Sequence, residues 1–229
     1  MPTTEPDTRA PDDLARIVLR PIASSAPVGF YAFGVGTILY TALELHWVPL
    51  TQTHTLALVL LCFSAPLQVV AGLIGYAARD AGLATAMLIF GLVWATLGTT
   101  GLTTPPGGRS AVLGIFLLVI AMVVTGIGGG AVRTRPLLSV LAGFAVVRYV
   151  FTGIYELTGV EVFAQISGWA GLPIVLISVY GGTAFLIEDS TGRTVLPLGR
   201  RNAARVALQG GLSDQLGRIT QEAGVRHQL

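Results

Sequence analysis

The chain has 229 residues, of which 52% are hydrophobic and only 11% charged, and its mean hydropathy is +0.72. A soluble domain carries about a quarter charged residues, so this composition excludes an ordinary cytosolic enzyme and any disordered or nucleic-acid-binding class. The net charge is only +2, carried by 14 Arg and no Lys, which also excludes a Schiff-base lysine, and the lone Cys62 can form no internal disulfide.

Residues 1–22 contain Glu5, Asp7, Asp12 and Asp13 and lack the apolar core of a cleavable signal. Asp12 or Asp13 can cap a short helix through Arg20, with Leu14, Ile17 and Val18 on one side. That pattern reads as an interfacial helix on the membrane surface, with a disordered tail as the alternative. Residues 23–199 then carry six stretches long enough to cross about 30 Å of hydrocarbon as helices: 27–45, 55–76, 82–102, 111–132, 137–157 and 166–187. Pro49, Arg79-Asp80, the Pro105-Pro106-Gly107-Gly108 run, Arg133 with Arg135-Pro136, and Glu188-Asp189 punctuate them. Residues 200–229 form a basic, weakly amphipathic tail without recognisable chemistry. The fold class is therefore an all-α integral membrane protein with six transmembrane helices in one domain.

With six spans both termini share a side. Arg9, Arg16, Arg20, Arg79, Arg133, Arg135 and six arginines from Arg193 to Arg226 gather there, against Arg109 on the other. The positive-inside rule then makes both termini cytoplasmic.

Metal and nucleophile chemistry finds no support. His46, His54 and His227 have no ligand spacing, and no HExxH or GxSxG occurs. The glycine-rich run 126–130 lacks the Lys-Ser/Thr of a phosphate loop and reads as a close-packed or kinked helix end. Phe33, Thr37, Tyr40 and Glu44 share one face of the first helix. Such a stripe serves either packing and interhelix hydrogen bonds or a polar path. Arg148 stands inside the fifth span, four residues after Phe144, where an arginine costs a few kcal/mol and must face protein or water. Two roles remain open for it: an ion pair with Glu44 or Glu156, or an anion site that holds a carboxylate bidentately. Pro66 and Pro173 lie inside spans and read as kinks that can also expose a carbonyl to a cavity. Pro27 suits the first helix turn, Ser24 or Ser25 can cap it, and the segment 24–29 can attract an anion to a helix start.

Several motifs together resemble the acetate uptake transporter family, also called succinate–acetate permeases. They are Ala26-Pro27-Val28-Gly29-Phe30 with Phe33-Gly34, Gln68 with Ala71-Gly72-Leu73, Gly168-Trp169-Ala170-Gly171, and Gly192-Arg193-Thr194-Val195-Leu196-Pro197. The family's opening Asn-Pro is Ser24-Ser25 here, and the acidic residue often found after Ala-Gly-Leu is Gly75. The resemblance implies six helices per subunit, a homo-oligomer, namely a hexamer, and passage of acetate and, in some relatives, succinate through each subunit. It places the family's constriction on Phe33, Phe90 and Phe144. The substrate path expected beside it comprises Ser24, Ser25, Pro27 and Gly29 at the helix start, Gln68, the stripe Thr37, Tyr40 and Glu44, and Arg148. Ala71, Gly72 and Gly75 form a small-residue face expected to meet neighbouring helices.

The function expected is a transporter or channel for small carboxylates in a bacterial plasma (inner) membrane, with proton coupling open and no enzymatic activity, cofactor, metal or nucleic-acid partner. A non-transporting scaffold or sensor, and an ammonia exporter, stand as alternatives.

Overall fold

Backbone in lipid must satisfy its own hydrogen bonds, and residues 22–200, which the computed structural model describes, do so entirely with helices. Six of these are long and apolar enough to cross a membrane. They are α1 (Ala26–Glu44), α2 (Leu50–Ala77), α3 (Ala81–Thr103), α4 (Ala111–Ala131), α5 (Pro136–Thr158) and α6 (Glu161–Thr191). The interfacial helix expected before Arg20 and the basic tail after Arg200 lie outside the described residues.

Helix ends follow local chemistry. Asp80 accepts the Leu83 N–H at 3.1 Å to cap α3, and Ser110 accepts that of Leu113 to cap α4. Pro136 opens α5, where its missing N–H costs nothing, and Gly159 and Gly192 end α5 and α6 in the left-handed conformation. The last helix starts five residues before the expected span, because Glu161 and Gln165 interrupt the apolar run at its head without interrupting the helix.

The two intramembrane prolines behave differently. In α2 the turn Leu60–Ser64 widens into a π-helix just ahead of Pro66. The pyrrolidine ring would otherwise meet the Cys62 carbonyl one turn back, and the extra residue relieves that clash. By contrast α6 runs on through Pro173.

The helices close into a ring. α1 packs on α6 and α2, α2 on α3, α3 on α4, α4 on α5, and α5 on α6. α4 and α5 approach most closely where Gly114 and Gly153 face each other, since a Cβ on either would lie within 3 Å of the other's carbonyl. Gly72 and Gly75 pack against Ala84 and Leu88 of α3, and Ala71 is fully buried. The neighbour of this small-residue face is thus a helix of the same chain. Of the run 126–130, Gly128 alone makes a close approach, to Ala142.

Candidate functional site

The centre of the ring is aromatic. Phe33 of α1 stacks on Phe90 of α3 with centroids 4.5 Å apart and planes 18° apart. Trp94, one turn along from Phe90, tilts against Phe33 at 5.9 Å and Tyr40 at 6.5 Å. Tyr149 of α5 closes the group 6.4 Å from Phe90. Phe33 and Phe90 are therefore brought together, but Phe144 is not in this group. It lies half-buried at the core's edge, because Ala145 and Tyr149, rather than Phe144, are the α5 side chains turned fully inward.

A cavity opens on each side of the stack. At the end carrying both described termini, about 510 Å³ is lined by Ser24, Phe30, Asp80, Arg135, Glu188 and Arg200 among others. At the far end a smaller cavity of about 80 Å³ is lined by Tyr40, Glu44, Thr152, Tyr155, Glu156 and the 104–108 loop. Phe30 and Tyr40 thus face opposite cavities, and at 1.5 Å per helical residue about 15 Å of α1 separates them. Within that closed stretch Thr37 Oγ1, Ser64 Oγ, Trp94 Nε1 and Tyr149 OH are buried without a hydrogen-bond partner in the protein. An orphaned buried polar group costs about 1–3 kcal/mol, so dry packing alone gives no reason to place four there.

Below the far cavity lies a buried ionic cluster. Arg148 Nη2 donates to Glu44 Oε2 at 2.8 Å, and its Nη1 to Thr41 Oγ1 at 2.7 Å. Glu44 Oε1 accepts from Thr152 Oγ1 at 2.9 Å and from Ser167 Oγ at 2.8 Å. The Tyr40 ring lies 5.5 Å from the guanidinium carbon. Glu44 ends α1, where the helix dipole disfavours an anion, so the arginine and two hydroxyls carry its stabilisation. The space exists because α6 carries glycines there. A Cβ at Gly171 would overlap Arg148 Nη1 and Thr41 Oγ1, and one at Gly168 would press on Glu44 Cβ and Leu45. Of the two carboxylates open to Arg148, Glu44 is the partner; Glu156 instead accepts the Ser110 N–H at 2.7 Å. Thr41, Thr152 and Ser167 escaped sequence reasoning and Gly171 entered it only as part of a family motif, although Arg148, Thr152 and Glu156 form a visible stripe at a spacing of four on α5.

The remaining expected path residues divide by direction. Ser24 lines the larger cavity, and its Oγ reaches the Ala26 N–H only at 3.4 Å. Ser25 does not cap α1; it is buried and donates its hydroxyl to the Ala71 carbonyl at 2.7 Å. Pro27 is half-buried in the first turn. Gly29 faces Met87 and Ala71, where a Cβ would clash, so it serves helix packing. Gln68 Nε2 donates to the Gly29 carbonyl at 3.3 Å, while its buried Oε1 has no partner. His46 pairs with Glu161 at 3.2 Å across the far rim, and among the described residues no metal-ligand group gathers.

The motif after α6 folds back on the larger cavity. Tyr180 OH donates to the Pro197 carbonyl, Leu198 is buried, and Arg200 pairs with Glu188 at 2.5 Å while covering the Phe185 ring. Across the same mouth Asp80 bridges to Arg135 at 2.7 Å.

The sequence model of the GPR1/FUN34/yaaH family matches residues 7–199. The succinate-acetate/proton symporter SatP of Escherichia coli K12 is 27% identical over 185 residues, covering 78% of this chain and 96% of its own. The SatP symporter of Shigella flexneri matches to the same extent. The solved structure of the bacterial acetate channel SatP superposes with a TM-score of 0.67 at 25% identity, over 78% of this chain and 99% of its own.

Proposed function

The chain belongs to the GPR1/FUN34/yaaH family, and from that premise we propose that it passes acetate and related small carboxylates across a bacterial inner membrane rather than catalysing a reaction. SatP is named both as a succinate-acetate/proton symporter and as an acetate channel, and this chain has the parts such a path requires. The observation that carries the reading is the stacked Phe33–Phe90 pair lying between two cavities that open at opposite ends of one helical ring.

In this reading the ring stack is the narrowing, with Trp94 and Tyr149 completing its wall and Phe144 supporting it from the edge. Ser24 and the start of α1 meet the solute at the larger cavity, and Thr37 and Tyr40 receive it beyond the stack. The partnerless hydroxyls and indole N–H offer a dehydrated carboxyl group neutral donors where water is excluded. A neutral acid crosses such a stretch far more readily than its anion, which favours proton coupling. Both termini then face the cytoplasm, and the subunit works within a hexamer.

Uptake of radiolabelled acetate into proteoliposomes, compared with protein-free vesicles and with and without a pH gradient, tests the reading. Protein-dependent uptake is expected. Phe33→Ala should raise the rate for succinate relative to acetate about tenfold or more, since one ring of the narrowing is gone. Uptake no faster than in protein-free vesicles would leave the fold as a scaffold or sensor. Ammonia flux without acetate flux would replace the substrate.

A further inference from the structure

The donors around Glu44 form a cradle fitted to a carboxylate of any origin. One arginine N–H group and two hydroxyls converge on its two oxygens, all three donor residues are buried, and Glu44 with Thr152 also lines the far cavity. The end of a glutamate side chain is chemically acetate on a tether. We propose that Glu44 is an internal stand-in for the permeating carboxylate: the solute binds to Arg148, Thr152 and Ser167 by displacing Glu44, which withdraws toward the far cavity carrying a proton. This inference rests on the carboxylate reading above and gives it a coupling site.

The charge balance sets the proton. The resting cluster holds one guanidinium and one carboxylate, so it is neutral. An arriving anion adds a negative charge, and a single proton from the far cavity, bound on a Glu44 carboxyl oxygen, restores neutrality. Withdrawal of a charged Glu44 would strand it near Glu156 and Glu161, which cannot neutralise it. The other titratable or charged groups around it are Tyr40 on α1, Arg148 and Tyr155 on α5, His46 across the rim and Arg109 over Gly159. The geometry permits the swing. Glu44 is the last residue of α1, and the chain beyond it turns at His46 with a positive φ of 56°.

Calorimetric titration of the full-length protein with acetate, in two buffers of different ionisation enthalpy at neutral pH, counts the protons taken up on binding. The native protein should take up about one proton per acetate. Glu44→Gln removes the charged competitor, and its amide can still accept from Arg148 while the two hydroxyls turn to accept from its NH2. This variant should bind acetate about ten- to hundredfold tighter with no proton uptake. Glu44→Asp keeps both charges and shortens the tether by one methylene, so it should bind several-fold tighter with the proton count unchanged; it decides the matter should the glutamine variant not fold. Acetate binding and uptake by the native protein without a linked proton, or native affinity in Glu44→Asp, overturns the exchange and leaves the carboxylate path standing. Absence of both binding and uptake in the native protein overturns the two together.

Discussion

At the far end of the bundle the Arg148–Glu44 pair leaves its side chains 5% and 6% exposed, whereas Arg135–Asp80 at the opposite mouth leaves them 33% and 21% exposed. Both pairs have close N–O contacts, so distance does not distinguish them. Surroundings do. The outer charges of Asp80 and Arg135 retain water, and such pairs contribute up to about 1 kcal/mol. The inner pair is enclosed by three helices, and removing one partner leaves a charge with neither water nor counterion. The buried pair is thus both the more dangerous to break and the more capable of coupling a proton to a solute, because an uncompensated charge there has nowhere to dissipate.

The largest effect expected is from Arg148→Leu, which strands Glu44 and should cost about 3–5 kcal/mol. It would be read as a steep fall in the melting temperature and monodisperse yield in detergent, with Glu44→Gln added to the same chain restoring much of both. Next comes Gly171→Ala, whose methyl would take the space of Arg148 Nη1 and Thr41 Oγ1. Overpacking of this kind costs about 1–3 kcal/mol, visible in the same melting experiment. Asp80→Ala removes the α3 cap and the Arg135 partner together, and about 1–2 kcal/mol should be lost. If it proves as damaging as Arg148→Leu, burial is not what separates the two ends. The smallest change belongs to Glu161→Gln, whose partner His46 is, like Glu161, 47% exposed. It should shift stability by less than about 0.5 kcal/mol, and even that difference should vanish in 1 M salt, where screening acts within about 3 Å.

Much of this protein was legible from residues alone, and the reasons are local. Twenty-residue apolar runs between Pro, Gly and Arg leave a chain in lipid no choice but helices, so the six spans were visible. Motifs such as Gln68 with Ala71-Gly72-Leu73 carried the family. The family resemblance placed Phe33 at the narrowing, whereas spacing alone showed only that it begins a helical stripe whose other members are Thr37, Tyr40 and Glu44. The stripe did not reveal which side chains meet it from other helices. Tyr149 took the inward place expected of Phe144, since the rotation of α5 is set by its packing on α4 and α6, not by its own hydropathy. Ser25, expected as a cap, turned to the Ala71 carbonyl because burial against α2 offers a shorter bond than its own helix start.

What the sequence by itself determined was class, span number and family, all of which depend on composition and spacing along one chain. Tertiary structure alone decided that Arg148 meets Glu44, 104 residues away along the chain, rather than Glu156, and that Thr41, Thr152 and Ser167 complete the cradle. Interhelix contacts between residues so far apart depend on where each helix sits and how it is turned in the ring. In this bundle those rotations are settled by close approaches at Gly114, Gly153, Gly168 and Gly171, where the absence of a side chain lets a neighbouring segment come near, a polar group at all but Gly168.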